Sequence, residues 1–194
     1  MRTRSGEIEP EVSAVRRALY GRETETLTAL LAADPSLNGL DLAALGRAAE
    51  LAEAVAADPE LVRARSADGF TALHYACFFG GAESAKVLIG AGADAGAVAG
   101  NPTRLQPLHS AAAARDLDAA AALLAAGADP DAQQAGGHTP LHAAAQHDDV
   151  RLARLLLDHG ADPAVRNEAG ADADAIAAEH GAAGVLALLR DNGG

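Results

Sequence analysis

The sequence predicts an all-α fold, a solenoid of stacked helix-turn-helix units joined by short hairpin loops. One pattern of residue positions, called the repeat frame below, occurs three times in the 194-residue chain at intervals of 35 and 33 residues. The composition is 49% hydrophobic but only 3% aromatic, without Trp, which favours closely packed helices with small side chains over a bulky core. The residues that mark the frame are His74, His109 and His142, and then Gly92, Gly127 and Gly160.

The stretch 137–162 shows one unit most clearly. Thr139 can cap a helix and Pro140 suits the first helical position, so we expect a short helix over about 141–146. A second helix follows and ends at Gly160, which can adopt a positive φ. We expect Leu155 to be buried between neighbouring units. The apolar stripe of helical period on this second helix consists of Val150, Leu152, Leu155 and Leu156.

Three units share a helix start, an Ala-rich helix and a closing Gly-Ala-Asp. The starts read Thr71-Ala72-Leu73-His74, Gln106-Pro107-Leu108-His109 and Thr139-Pro140-Leu141-His142. A Thr-Pro-Leu-His-x-Ala core with a period of about 33 residues is the signature of ankyrin repeats, and residues 68–169 closely resemble that family. The resemblance implies that each motif His hydrogen-bonds to neighbouring backbone and that the Ala pair lets the helices approach closely. It also implies that the protein recognises other proteins and is not an enzyme.

We expect a single ankyrin repeat domain across residues 1–194, with atypical units at both ends of the stack. In the last unit, Asp172 and Asp174 replace the Thr and Leu of the motif, which fits a cap with nothing packed beyond it. Asn101-Pro102 predicts a longer hairpin loop between two repeats. The parts are an N-terminal helical cap at 11–38, a shortened repeat at 40–65, full repeats at 66–97, 104–134 and 137–167, and a C-terminal cap at 170–190.

The N-terminal cap lacks the Thr-Pro-Leu-His element. Its sequence predicts two short helices that meet near Tyr20 and Gly21. The second helix is expected to turn Leu27, Leu30 and Leu31 inward.

Charge and composition narrow the possible partners. The formal net charge is −12, and the basic residues do not cluster into a positively charged stripe. Both observations argue against a nucleic-acid partner. No run of about 18 apolar residues is present, so we expect neither a membrane partner nor a secretion signal. The lone Cys77 excludes an intramolecular disulfide. We therefore expect a cytoplasmic monomer without a cofactor, and the preference for Arg over Lys indicates a GC-rich, bacterial genome.

The resemblance implies that a partner binds to a concave face built from hairpin tips and the outward side of each first helix. Carried over residue by residue, it places two groups of side chains on this face. The hairpin positions are Asp68, Phe70, Leu105 and His138, and the helix positions are Phe78, Phe79, Gln146, His147, Glu179 and His180.

All three Phe of the chain fall at these positions within a single repeat. We expect Phe70, Phe78 and Phe79, with Tyr75 beside them, to form an apolar anchor for a protein partner, since clustered exposed aromatics are typical of binding hot spots. The alternative is structural: Phe78 or Phe79 could fold back over the smaller neighbouring units and plug a stack built from Ala. Solvent exposure of these two rings distinguishes the two interpretations.

Histidines on the same rim suggest two weaker hypotheses. His138, His147 and His180, with Glu179 and Asp148 nearby, could make binding depend on pH or could be plain solvated residues. The runner-up function is a metal-dependent or hydrolytic enzyme that uses these rim histidines. The motif histidines themselves are poor candidates for one metal, because stacked helices lie about 10 Å apart whereas zinc ligands lie about 2 Å from the ion.

Overall fold

A computed structural model describes residues 11–33 and 36–192. Within these residues the chain forms twelve α-helices, arranged as antiparallel pairs along the sequence. Their bounds are α1 Ala14–Gly21, α2 Thr24–Ala32, α3 Gly39–Ala44, α4 Ala48–Ala57, α5 Ala72–Tyr75, α6 Ala82–Gly90, α7 Pro107–Ala114, α8 Leu117–Ala125, α9 Pro140–Gln146, α10 Val150–Asp158, α11 Ala173–His180 and α12 Ala183–Asn192. The predicted all-α repeat fold is confirmed.

Two short elements complete the helical pairs. A 3₁₀-helix, Pro59–Arg63, follows α4, and a π-helical turn, Ala76–Gly80, continues α5. Extended pairing in the described residues is limited to one antiparallel bridge between Arg65 and Thr71.

The helix starts follow the capping chemistry that the motif predicts. The Thr139 hydroxyl accepts a hydrogen bond from the His142 N–H at 3.4 Å, and Pro140 occupies the first helical position of α9. Asp149 caps α10 through the Leu152 N–H at 3.1 Å. Each cap satisfies a backbone donor that lacks a partner within its helix.

The core is one continuous cluster of Leu and Ala residues that runs from α3 to α12. Because each pair of helices is too small to hide its own apolar face, burial depends on stacking between neighbouring pairs. Small side chains allow the helices to pack closely. Asp174 on α11 is exposed.

The expected burial of Leu155 is wrong by one position. Leu156 is fully buried, whereas Leu155 is half-buried at the edge of the core. The face of α10 that meets the neighbouring helices carries Leu152, Ala153 and Leu156. Leu155 precedes Leu156 by one residue, which turns its side chain by about 100° around the helix.

The expected inward face of α2 is also not a core face. Leu27, Leu30 and Leu31 are half-buried, and no residue of α2 is buried. The helix packs against α1, so its leucines are covered on one side.

A buried ion pair attaches α1 to the repeats. Arg16 Nε lies 2.9 Å from Asp41 Oδ1, and the two side chains are 0% and 4% exposed. Asp41 occupies the motif position that is His in the full repeats and bonds back to the N–H of Asn38 at 3.3 Å. The shortened repeat therefore replaces the usual His with an acid, and α1 supplies the compensating base.

The longer hairpin loop predicted at Asn101 is present and is bonded to its neighbours. Gly100 N–H donates to the Gly69 carbonyl at 2.9 Å, and the Asn101 amide donates to the Asp68 carbonyl at 2.7 Å. On the other side, Ala135 N–H donates to the Thr103 carbonyl at 2.8 Å. These bonds join successive hairpin tips.

Candidate functional site

The motif histidines are structural links between repeats. The Nε2 atoms of His74, His109 and His142 lie 3.0, 3.2 and 3.1 Å from carbonyl oxygens of the next unit. Their Nδ1 atoms accept hydrogen bonds from the backbone N–H at the start of their own helix. Because Nδ1 accepts, Nε2 carries the proton and donates it to the carbonyl.

Burial keeps these rings neutral. It lowers the pKa of His74 to about 4 and also lowers the pKa of His109 and of His142. Both ring nitrogens of each His are engaged, so the imidazoles serve the stack and leave no lone pair for a ligand.

A shallow aromatic groove lies beside the first full repeat and has a volume of about 200 Å³. Three parts of the chain build it: the end of α1, two hairpin tips, and the first helices of two repeats. We call this feature the aromatic groove, and it is lined by Tyr20, Phe70, His74, Tyr75, Phe78, Phe79, Leu105 and Ser110.

The π-helical turn presents two of these rings. It closes with a hydrogen bond of 2.7 Å from the Gly81 N–H to the Ala76 carbonyl and carries Phe78 and Phe79. Gly80 lets the turn approach α3, because a Cβ at this position would lie 1.9 Å from the Ala43 carbonyl oxygen. Such π-turns within helices are frequent at functional sites.

The rings meet edge to face. The centroids of Phe78 and Phe79 are 4.7 Å apart, those of Tyr20 and Phe79 are 5.3 Å apart, and those of Phe70 and Tyr75 are 6.1 Å apart. This is the arrangement that aromatic quadrupoles favour, and it holds the walls of the groove in fixed orientations.

Exposure differs among the rings. Phe78 is 44% exposed and Tyr20 is 45% exposed, whereas Phe70 and Phe79 are half-buried against the core. Tyr75 lies beside Phe70, as expected, but it is only 2% exposed and so offers no exposed ring to a partner. Its ring forms the floor of the groove, with the Arg16 guanidinium 5.1 Å from its centroid.

Tyr20 is the exposed groove residue that the sequence patterns did not predict. It belongs to α1, where no repeat motif sets the register, and it meets a repeat far along the chain. The available signal was compositional: the chain has two Tyr, and one of them stands at the predicted junction between two N-terminal helices.

Asp68 connects the two tyrosines. Its carboxylate accepts hydrogen bonds from the Tyr20 hydroxyl at 2.9 Å, from the Tyr75 hydroxyl at 2.7 Å and from the Ser66 hydroxyl. Burial alone would raise the pKa of Asp68, but the bonds from Ser66, Tyr75 and Tyr20 outweigh burial and lower the pKa below its usual range. The carboxylate is therefore ionised at neutral pH.

The other predicted site residues lie outside the groove, except Leu105, which lines it. Gln146, His147, Glu179 and His180 are exposed, and His138 is half-buried with its ring 5.5 Å from that of His142. Asp148 serves a structural purpose, because it accepts the Val185 N–H at the start of α12 at 2.8 Å.

The rim histidines do not form a metal site in the described part of the chain. Within 11–33 and 36–192, no group of three His, Cys, Asp or Glu side chains is placed to hold a metal ion. In the same residues, no helix is long and apolar enough to cross a membrane.

Comparison with known proteins supports the interpretation of the repeats. A family model described as ankyrin repeats (3 copies) matches residues 14–134 and 108–194, which together span most of the chain. The comparison with curated proteins found no matching relative. The motif, the helix pairs and the family match agree: the chain belongs to the ankyrin repeat family, whose repeats are generally protein–protein interaction modules and are typically not enzymes.

Proposed function

We propose that this protein binds a protein partner through its concave face and that the aromatic groove anchors the partner. The observation that carries the proposal is the 44% exposure of Phe78 in a groove that is lined mostly by rings. The exposed Phe78 ring is in contact with the Phe79 ring. It resembles the buried aromatic anchors that dominate protein interfaces once a partner covers them.

The energetics favour such an anchor. Full burial of a Phe side chain is worth about 1.5–3 kcal/mol, so covering the exposed part of Phe78 would contribute about 1 kcal/mol before any other contact. Contact with Phe79 at a centroid distance of 4.7 Å already restricts the ring. Because the ring is already restricted, binding would cost less side-chain conformational entropy.

The exposed polar residues farther along the stack suit the rim of the same interface. The repeat positions equivalent to Phe78 are Gln146 and Glu179, and those equivalent to Phe79 are His147 and His180. These residues lie at the ends of α9 and α11. Polar rims of this kind surround the apolar centre of protein interfaces. In this proposal the protein acts as a cytoplasmic monomer, and its charge of −12 disfavours nucleic acid.

Affinity capture from a lysate of the native organism tests the proposal. The wild type is compared with Phe78→Ala and with Val98→Ala, which removes an apolar side chain of 38% exposure that does not line the groove. We expect a protein that the wild type and Val98→Ala retain and that Phe78→Ala loses. Equal retention by all three proteins would place binding elsewhere on the surface.

A further inference from the structure

Within the part of the chain that the structure describes, hydroxyl groups stabilise the charge of Asp68 but no cation pairs with it. In the ranges the structure describes, no Arg, Lys or His nitrogen lies within the 4.0 Å ion-pair distance of its carboxylate. Arg65, the nearest base in the sequence, donates instead to the carbonyls of Gly69 at 3.1 Å and Val98 at 3.0 Å. These hydroxyl donors stabilise the carboxylate but do not neutralise its charge, so it can still form a charge-assisted hydrogen bond with a cation that approaches it.

Tyr20 and Tyr75, two groove residues that hydrogen-bond to Asp68, carry rings that attract cations as well. Aromatic faces carry negative potential and bind cations within about 6 Å of the ring centroid. Both tyrosine hydroxyls donate to the Asp68 carboxylate, which increases the electron density of their rings. The Tyr75 ring already has the Arg16 guanidinium 5.1 Å from its centroid, so a ring of this cluster demonstrably accommodates that group.

The size of the groove restricts what can enter it. Its volume of about 200 Å³ is below the range of about 300–1,000 Å³ that is common for small-molecule sites. The space fits one long side chain that a chain segment inserts.

We infer that the aromatic groove accepts an arginine side chain of the protein partner, with its stem against Phe78 and Phe79 and its guanidinium beside Tyr20 and Asp68. This inference rests on the proposed function. Arg suits the site better than Lys because its planar, weakly hydrated guanidinium stacks on aromatic faces. The net charge of −12 would steer a basic segment toward the protein.

The three Phe of the chain offer a direct probe. Replacement of Phe by 4-fluorophenylalanine gives one fluorine NMR signal for each of Phe70, Phe78 and Phe79, assigned by single substitutions. The labelled full-length protein is titrated with N-acetyl-arginine methylamide, and then with the lysine, norleucine and glutamate analogues. Circular dichroism verifies that the labelled protein keeps its helical content.

We expect the arginine probe to shift the Phe78 and Phe79 signals saturably and to bind at least about fivefold more tightly than norleucine. Higher salt should weaken arginine binding but not norleucine binding. Norleucine binding as tightly as arginine would overturn the inference and leave the proposed apolar anchor standing. If no probe shifted either signal, both the inference and this location for the proposed function would be contradicted.

A matched pair of charge variants measures the contribution of the Asp68 carboxylate to arginine binding. Asp68→Asn should weaken arginine binding by about threefold to tenfold while leaving norleucine binding unchanged. Asp158→Asn, which makes the same change of charge at an exposed position at the end of α10, should alter neither. Equal arginine affinity in the two variants would overturn the assigned role of Asp68. If Asp68→Asn folds poorly, the comparison of arginine with norleucine on the wild type still tests the inference.

Discussion

The Tyr20 hydroxyl donates a hydrogen bond of 2.9 Å to Asp68, 48 residues later in the chain. This bond joins the N-terminal helical cap to the hairpin of the first full repeat. It also fixes Tyr20 edge to face with Phe79, at a centroid distance of 5.3 Å. Helix α1 therefore contributes one wall of the aromatic groove.

Removing this hydroxyl should have a small and specific effect. Tyr20→Phe keeps the ring and should lower the free energy of unfolding by about 0.5–1 kcal/mol, because the hydrogen bond is exposed. Tyr20→Ala should cost more, since it also removes the contact with Phe79. Urea unfolding followed by circular dichroism measures both changes, and equal stability of the two variants would show that the ring contributes nothing.

The motif histidines make stability depend on pH. An unfolded His has a pKa of about 6.5, whereas burial lowers the pKa of folded His74 to about 4. Above the unfolded value both states are neutral and the stabilisation is complete. As the pH falls below about 6.5, the unfolded state takes up protons that the native state excludes, so stability decreases until the folded pKa is reached.

Between pH 7.5 and pH 5.5, His74 should account for a loss of about 1.4 kcal/mol. His109 and His142 should act in the same direction. Urea unfolding at the two pH values measures the loss. His74→Gln should reduce the difference between them, whereas His147→Gln, at an exposed site, should not. An unchanged difference in His74→Gln would contradict the account.

Two adjacent leucines of α10 should respond differently to truncation. Leu156→Ala removes a side chain of 0% exposure and should cost about 2–5 kcal/mol through lost burial and the cavity left behind. Leu155→Ala, at the half-buried edge, should cost less than about 2 kcal/mol. Urea midpoints of the two variants measure the difference, and a larger cost for Leu155→Ala would mean that the register of α10 is wrong.

Two glycines in the first full repeat form another matched pair. Gly80→Ala places a Cβ 1.9 Å from the Ala43 carbonyl oxygen, so it should destabilise the protein by about 1–3 kcal/mol and disturb the π-turn. Gly90→Ala meets nothing within 4 Å and should be neutral or stabilise by about 0.4–1 kcal/mol. Thermal unfolding ranks the variants, and tolerance of Gly80→Ala would show that α3 and the π-turn are not closely packed.

Local motifs were sufficient to predict the fold. The Thr-Pro-Leu-His starts, the closing glycines and the Ala-rich helices each encode a helix boundary or a close packing contact, and they recur in one register. The helix predicted over 141–146 runs as Pro140–Gln146. What local motifs could not specify was the exact face of each helix, and for this reason the burial assigned to Leu155 belongs to Leu156.

The candidate site was predictable in part. The repeat frame placed Phe78 at an exposed position, and the ring is 44% exposed. The frame could not foresee that Phe70 and Phe79 would pack against the core, because Phe79 lies on the π-turn and contacts Tyr20 from outside the repeats, and Phe70 packs on Tyr75. Contacts between the atypical N-terminal cap and the first full repeat have no sequence periodicity from which to predict them.

The packing of Phe79 determines which variant is informative. Because its ring is half-buried and touches Tyr20, Phe79→Ala would change stability as well as the surface. Phe78 is the ring whose replacement alters the groove with the least effect on the core.

Site-specific photo-cross-linking shows whether a protein partner occupies the aromatic groove. p-Benzoylphenylalanine replaces Phe78 in one sample and Val98, which does not line the groove, in another, and both are irradiated in lysate of the native organism. We expect a discrete protein adduct from position 78 that is absent from position 98. Adducts from position 98 alone, or identical adducts from both positions, would contradict this expectation.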